Sequence, residues 1–182
     1  MEEKKRIDID ALAGERWFAK ETSIIEDMCD LWGDWGVCSE VDPLRDVLMR
    51  RPGAEMEKFD WQAARFKAPI DAKRFRAQHD ALADIYRDHG VRVHYIEEQR
   101  SDRPNALFCR DLVFMTPEGA IVTRPAMEAR RGEERFAAKK LADLGVPIIR
   151  TVCGSATFEG AMGLWIDRHT VVLASGVRTN RE

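Results

Sequence analysis

The chain has 182 residues and a mass of 20.8 kDa, with 45% apolar and 34% charged side chains, as in one ordinary soluble domain. Its 29 basic and 32 acidic residues leave a net charge of −3, which excludes the broad positive field of a nucleic-acid-binding surface. No run approaches the roughly 18 apolar residues of a membrane span, and the start, Met1-Glu-Glu-Lys-Lys-Arg6, lacks the pattern of a signal peptide, so a cytoplasmic protein without membrane partners is expected.

Residues 7–32 carry Ile7, Leu12, Trp17, Ile24, Ile25, Met28 and Leu31 among charges, a loose helical period that predicts one or two amphipathic helices. They form an N-terminal helical extension over 1–34, and the compact fold is expected to start near Trp35. Arg45 to Arg51 reads as a strand ended by Pro52-Gly53, with an irregular stretch to Pro69. A helix is predicted over Asp71–His89, stopped by Gly90, followed by an alternating strand over Val91–Ile96. The next block opens with a hairpin, Leu112–Met115 and Ala120–Thr123 around a Thr-Pro-Glu-Gly turn. A helix over Glu133–Leu144 ends at Gly145, and Val146–Val152 is a strand whose Pro147 places it near an edge. A second hairpin, Leu164–Ile166 and Val171–Leu173, begins a third block.

Aligning Asp111–Glu133 with Gly163–Glu182 gives a repeat of about fifty residues: strand pair, arginine-bearing loop, helix, returning strand. The fold class predicted is α/β. In an array of such units, acids at strand starts and arginines at strand ends converge, and that combination suits an arginine-like ligand. Carboxylates clamp a planar guanidinium by paired charge-assisted hydrogen bonds, and arginines hold a carboxylate with the same geometry reversed. The same residues, Asp111, Glu159, Arg130 and Arg178, are also compatible with solvated or structural ion pairs. Cys29, Cys38, Cys109 and Cys153 include no C-x-x-C pair and no histidine at zinc-site spacing, so reduced, mostly buried thiols and no metal are expected.

Five ordered segments resemble the motifs of the guanidino-group modifying enzymes: the amidinotransferases, arginine deiminases and dimethylarginine dimethylaminohydrolases. They are Leu44-Arg-Asp-Val-Leu-Met-Arg-Arg-Pro-Gly53, Asn105-Ala-Leu-Phe-Cys-Arg-Asp111, Ala120-Ile-Val-Thr-Arg-Pro-Ala126 with Arg130-Arg-Gly-Glu133, Phe158-Glu-Gly-Ala161 and Val177-Arg-Thr-Asn180. The resemblance implies a pentein fold, a five-bladed α/β propeller, of which residues 35–182 supply an incomplete domain of about two and a half blades. It implies that Asp111 and Glu159 grip the substrate guanidinium, that Asn105 stands where some members place another acid, and that Arg130 and Arg178 bind the substrate carboxylate. Glu159 is also implied to take part in catalysis by orienting a histidine.

The implied reaction begins with cysteine thiolate attack on the guanidinium carbon; an amine leaves, and water or an acceptor amine then releases the amidino group. No cofactor is implied. The catalytic histidine and cysteine are expected in a C-terminal part, supplied by the rest of a gene, a second polypeptide or a partner copy. Met162 replaces an acid common in relatives. The alternative is a non-catalytic pentein-fold protein that binds or senses an arginine-like ligand or a protein partner. Cys109 is placed beside the site by strand alternation with Asp111, and His79, His89, His94 and His169 read as surface or satisfied polar residues.

Overall fold

The computed structural model describes residues 22–98 and 100–182. Residues 1–21 of the expected helical extension lie outside the described residues. Its remaining part is short: one turn, α1 (Ile24–Asp27), with a reciprocal Ser23–Glu26 capping box, continuing into a π-type turn over Met28–Trp32. Met28 is the one buried residue of that turn. Among the described residues, no helix is long and apolar enough to cross a membrane.

The first unit is a parallel pair, β1 (Asp46–Met49) and β2 (Arg92–Tyr95), joined by α2 (Ala72–Asp88). Asp71 caps α2 by accepting from the Arg74 N–H, and Gly90, at φ 78°, turns the chain toward β2. β1 is shorter than the predicted strand because Arg50 turns into the interior. There it meets Glu55 at 3.0 Å, on a 3-10 turn over Ala54–Met56 inside the stretch expected to be irregular. His79 is partly buried: it packs against the Tyr95 ring with centroids 6.1 Å apart, and burial lowers its pKa.

The second unit has three strands in the order β3 (Val113–Thr116), β4 (Gly119–Val122), β5 (Ile148–Thr151), with α3 (Glu134–Asp143) crossing between β4 and β5. β3 and β4 are antiparallel, β4 and β5 parallel, and β5 is the exposed edge that Pro147 predicted. Gly119 sits at φ 133°, and a side chain there would lie 2.3 Å from the Pro147 carbonyl, which accepts from the Ala120 N–H. Ala137 and Leu141 of α3 pack with Ile96, Leu112, Val113, Ala120 and Val146 in the main core. Trp35 joins this core from outside, and the segment leading from it to β1 borders an apolar cavity of about 550 Å³.

The third unit is the antiparallel pair β6 (Gly163–Asp167) and β7 (Thr170–Leu173). Trp165 stacks on Phe114 at 5.6 Å and donates to the Met115 carbonyl, which joins this hairpin to the preceding one. Leu164, Ile166, Val172 and Leu173 remain exposed. The short turns Cys109–Asp111 and Gly160–Met162 precede β3 and β6 in the same way, so the repeat aligns Met162 with Asp111, one residue from the register taken from sequence.

Candidate guanidinium-binding site

Asp111 and Glu159 are brought to the same end of adjacent hairpins. Asp111 closes the 3-10 turn before β3, and its carbonyl accepts from the buried Thr123 hydroxyl at 2.7 Å. Glu159 is fixed by a two-way backbone bridge between Arg124 and Phe158, each bond 3.1 Å, and stands at the head of the turn before β6. The two turns are pressed together at Gly160, where an added Cβ would lie 2.3 Å from the Val113 carbonyl oxygen and 2.5 Å from that of Arg110. The Glu-Gly pair thus has a mechanical reason: the glycine permits the approach that sets Glu159 beside the Asp111 turn.

Each carboxylate holds an arginine of the same chain. Arg130, 5% exposed, donates from Nη1 to Asp111 Oδ2 at 2.5 Å. Its Nε and Nη2 both reach Glu133 Oε2, at 3.0 and 2.8 Å, and Nη2 also lies 3.2 Å from the carbonyls of Asn105 and Phe108. Asn105 therefore contacts Arg130 through its backbone carbonyl. Arg130 ties the 105–111 segment to the start of α3. At the second carboxylate the geometry differs: Arg178 Nη1 meets Glu159 Oε2 at 3.1 Å, with the Arg178 side chain 49% exposed and that of Glu159 1% exposed. Glu159 Oε1 is buried without a hydrogen-bond partner among the described residues.

Glu133 has no role assigned by its sequence motif, yet it is the buried acid against which Arg130 is braced. The i,i+3 spacing of Arg130 and Glu133 is the sequence signal for this pair. Burial pushes the Glu133 carboxyl up to about 7, against the opposing pull of Arg130, and its Oε1 has no partner among the described residues. An acid whose folded pKa lies above its unfolded value binds more protons when folded. Its contribution therefore falls as pH rises from about 4.5 toward 7. Neutral His79 produces the opposite slope near its unfolded pKa, because burial lowers its folded value. The expected result is that the stability of wild type relative to Glu133→Gln declines between about pH 5 and 7 in urea titrations. A pH-independent difference would mean that Glu133 stays ionised throughout.

Cys109 lies in a 3-10 turn rather than a strand, so strand alternation does not describe its position. Its side chain packs against the main core, and burial pushes the thiol up to about 12, with Arg50 and Arg130 opposing. Alkylation at about pH 8 is expected to modify exposed Cys29 and Cys153 first and leave Cys109 intact in the folded chain. Peptide mass mapping would check this, and early labelling of Cys109 would contradict it. His94 pairs with Asp46 at 2.8 Å, His89 caps α2 against the Ile85 carbonyl, and His169 is exposed in the β6–β7 turn. Among the described residues, no group of three or more His, Cys, Asp or Glu is placed to hold a metal ion.

The second unit combines a strand pair, a helix and a returning strand, and the third repeats the strand pair with its preceding turn. The family model described as N,N-dimethylarginine dimethylhydrolase, eukaryotic, matches residues 48–182, and the chain belongs to this family within the guanidino-modifying superfamily. Three solved structures are similar to it. One is a dimethylarginine dimethylaminohydrolase adduct with S-methyl-L-thiocitrulline, 19% identical, with a TM-score of 0.65 over 76% of this chain and 53% of that one. Another is the enzyme of that name from Pseudomonas aeruginosa in complex with citrulline, 20% identical, TM-score 0.63, covering 76% and 52%. The third is the substrate-bound N-terminal domain of ArgZ, a cyanobacterial arginine dihydrolase, 18% identical, TM-score 0.62, covering 75% and 51%. The architecture is thus the α/β pentein fold, and the chain spans about half the length of the dimethylarginine dimethylaminohydrolases it matches. No curated protein sequence matches it.

Proposed function

We propose that the chain is the substrate-binding part of an amidinotransferase- or deiminase-like enzyme acting on an arginine-like guanidino compound. Residues 35–182 would supply about two and a half of five blades, with the catalytic histidine and cysteine contributed by a C-terminal part or a partner chain. The observation that carries this reading is the juxtaposition of two enclosed carboxylates, Asp111 and Glu159, on turns held together at Gly160. Such a pair keeps a guanidinium cationic and fixes its plane, so that its carbon stays electrophilic and faces an approaching thiolate. The thiolate adds to the carbon, the carbon–nitrogen bond then breaks as the departing amine takes a proton from the histidine, and water or an amine adds in turn, giving its proton back to that histidine as the carbon–sulfur bond breaks. Glu159 would also orient that histidine. Arg178, half-exposed, is the better placed of the two arginines to take up a ligand carboxylate, while Arg130 holds Asp111 in position. Asn105 would contribute through the segment that Arg130 anchors.

Titration calorimetry of the chain with L-arginine, methylated arginines and agmatine tests the reading. Arginine and its methylated forms are expected to bind, and agmatine, lacking the carboxylate, more weakly. A folded sample that binds none of them would overturn it. A second reading, a non-catalytic ligand-binding protein, is favoured by Met162, which stands where the preceding unit has Asp111 and supplies no strong acceptor. Release of an amine from bound ligand by the chain joined to its C-terminal part would reject that alternative.

A further inference from the structure

We propose that Arg178 is a built-in guanidinium placeholder: it neutralises Glu159 in the empty site and is displaced when a substrate guanidinium arrives. The proposal rests on the reading of Glu159 as a guanidinium-binding carboxylate and adds how that subsite is kept while unoccupied.

The asymmetry of the pair points to exchange. Glu159 is almost wholly enclosed at 1% side-chain exposure, whereas Arg178 is 49% exposed. A buried carboxylate without a cation is unfavourable, so the empty subsite needs a countercharge from somewhere. Arg178 supplies it through one contact, Nη1 to Oε2 at 3.1 Å, and leaves Oε1 buried without a partner among the described residues. A carboxylate accepts a guanidinium best through two parallel hydrogen bonds, one to each oxygen. The internal arginine therefore occupies the subsite without completing it, and a free guanidinium entering it can use both oxygens. Arg130 on Asp111 is different: it is buried, joined to Glu133 and to two backbone carbonyls, and built to stay.

The backbone around Arg178 permits a side-chain exchange without movement of the loop. Gly176 N–H donates to the Thr179 carbonyl at 2.8 Å, and Asn180 N–H to the Thr157 carbonyl at 3.1 Å. The Asn180 side chain accepts from Thr157 N–H at 2.9 Å and donates to the Ser155 carbonyl at 2.9 Å. The turn is thus pinned on both sides of Arg178, and the exposed side chain alone has freedom to swing. Once displaced, its guanidinium lies near the mouth of the subsite, where a ligand's carboxylate could receive it. One residue would then serve the empty state through Glu159 and the filled state through the ligand.

This arrangement predicts effects of opposite sign for two ligands. Removing the placeholder eliminates competition for a ligand that is only a guanidinium, but it also removes a partner for a ligand carrying a carboxylate. Methylguanidine and L-arginine are titrated into wild type, Arg178→Ala and Arg178→Gln, with thermal unfolding confirming that all three fold. Methylguanidine is expected to bind both variants about three- to tenfold more tightly than wild type, while L-arginine gains nothing or weakens. Methylguanidine binding to the variants alone also supports the placeholder. If wild type binds L-arginine and neither variant gains affinity for methylguanidine, the placeholder is rejected and the guanidinium site stands. If all three folded proteins are silent toward both ligands, the site and the placeholder fall together.

Discussion

Arg130→Ala is expected to lower the unfolding free energy by about 3–5 kcal/mol, a large fraction of the roughly 5–15 kcal/mol available to a domain of this kind. The loss comes from what the substitution leaves behind. Glu133, 2% exposed, would keep a carboxyl in the core facing no cation on that side, and Asp111 would lose its one ion-pair partner among the described residues. Two carbonyls, of Asn105 and Phe108, would lose a donor as well. Chemical unfolding measures the loss. The paired substitution Arg130→Met with Glu133→Leu is expected to recover only the part that comes from Glu133, because an apolar pair of similar volume does not carry the desolvation penalty of separated charges, while Asp111 and the two carbonyls still lack their donor. A loss below about 1 kcal/mol for Arg130→Ala would show that the cluster is solvated rather than enclosed.

Glu159→Gln is expected to weaken L-arginine binding by about ten- to a hundredfold while leaving the fold intact. The amide preserves the shape of the side chain but turns one acceptor into a donor aimed at other donors, and it removes the charge that a guanidinium needs in an enclosed site. Stability is expected to change little, since Oε1 has no partner to lose among the described residues and Arg178 is half-exposed. Calorimetry compared with wild type separates the outcomes: equal affinity would remove Glu159 from the binding site, and a collapse of folding would make it a structural residue.

The parts of the fold that can be read from sequence are those with a repeating signal or a strong stop. Asp71 and Gly90 bracket α2, Gly145 follows α3, and Pro147 marks the edge strand, because each residue either satisfies or forbids a specific backbone arrangement. The 3-10 turns at Cys109–Asp111 and Gly160–Met162 carry no such mark. Three residues are too few to show a period, so the turn before the Leu112–Met115 strand leaves no trace in the sequence, and the alternation with Asp111 used to place Cys109 does not hold there. The burial of Arg130 is equally hidden: its partners Asp111, Asn105 and Phe108 lie 19 to 25 residues away, and only the nearby Glu133 leaves a trace in spacing. Arg50 and Glu55 give none, being a buried pair within a segment without periodicity.

The candidate site is legible in the sequence as a set of residues and not as an arrangement. Asp111, Arg130, Glu159 and Arg178 stand out as charged residues beside apolar strands, but their pairing in twos emerges only in the folded chain. That pairing separates two arginines that look alike in sequence: Arg130 is buried between two carboxylates, and Arg178 is half-exposed against one.

A crystal structure of the chain with L-arginine at saturating concentration tests the guanidinium-site reading most directly. The ligand guanidinium should lie against both oxygens of Glu159, close to the Asp111 turn, with Arg178 turned toward the ligand carboxylate and Arg130 unmoved. Arginine bound elsewhere, with the Glu159–Arg178 pair still closed, would contradict it.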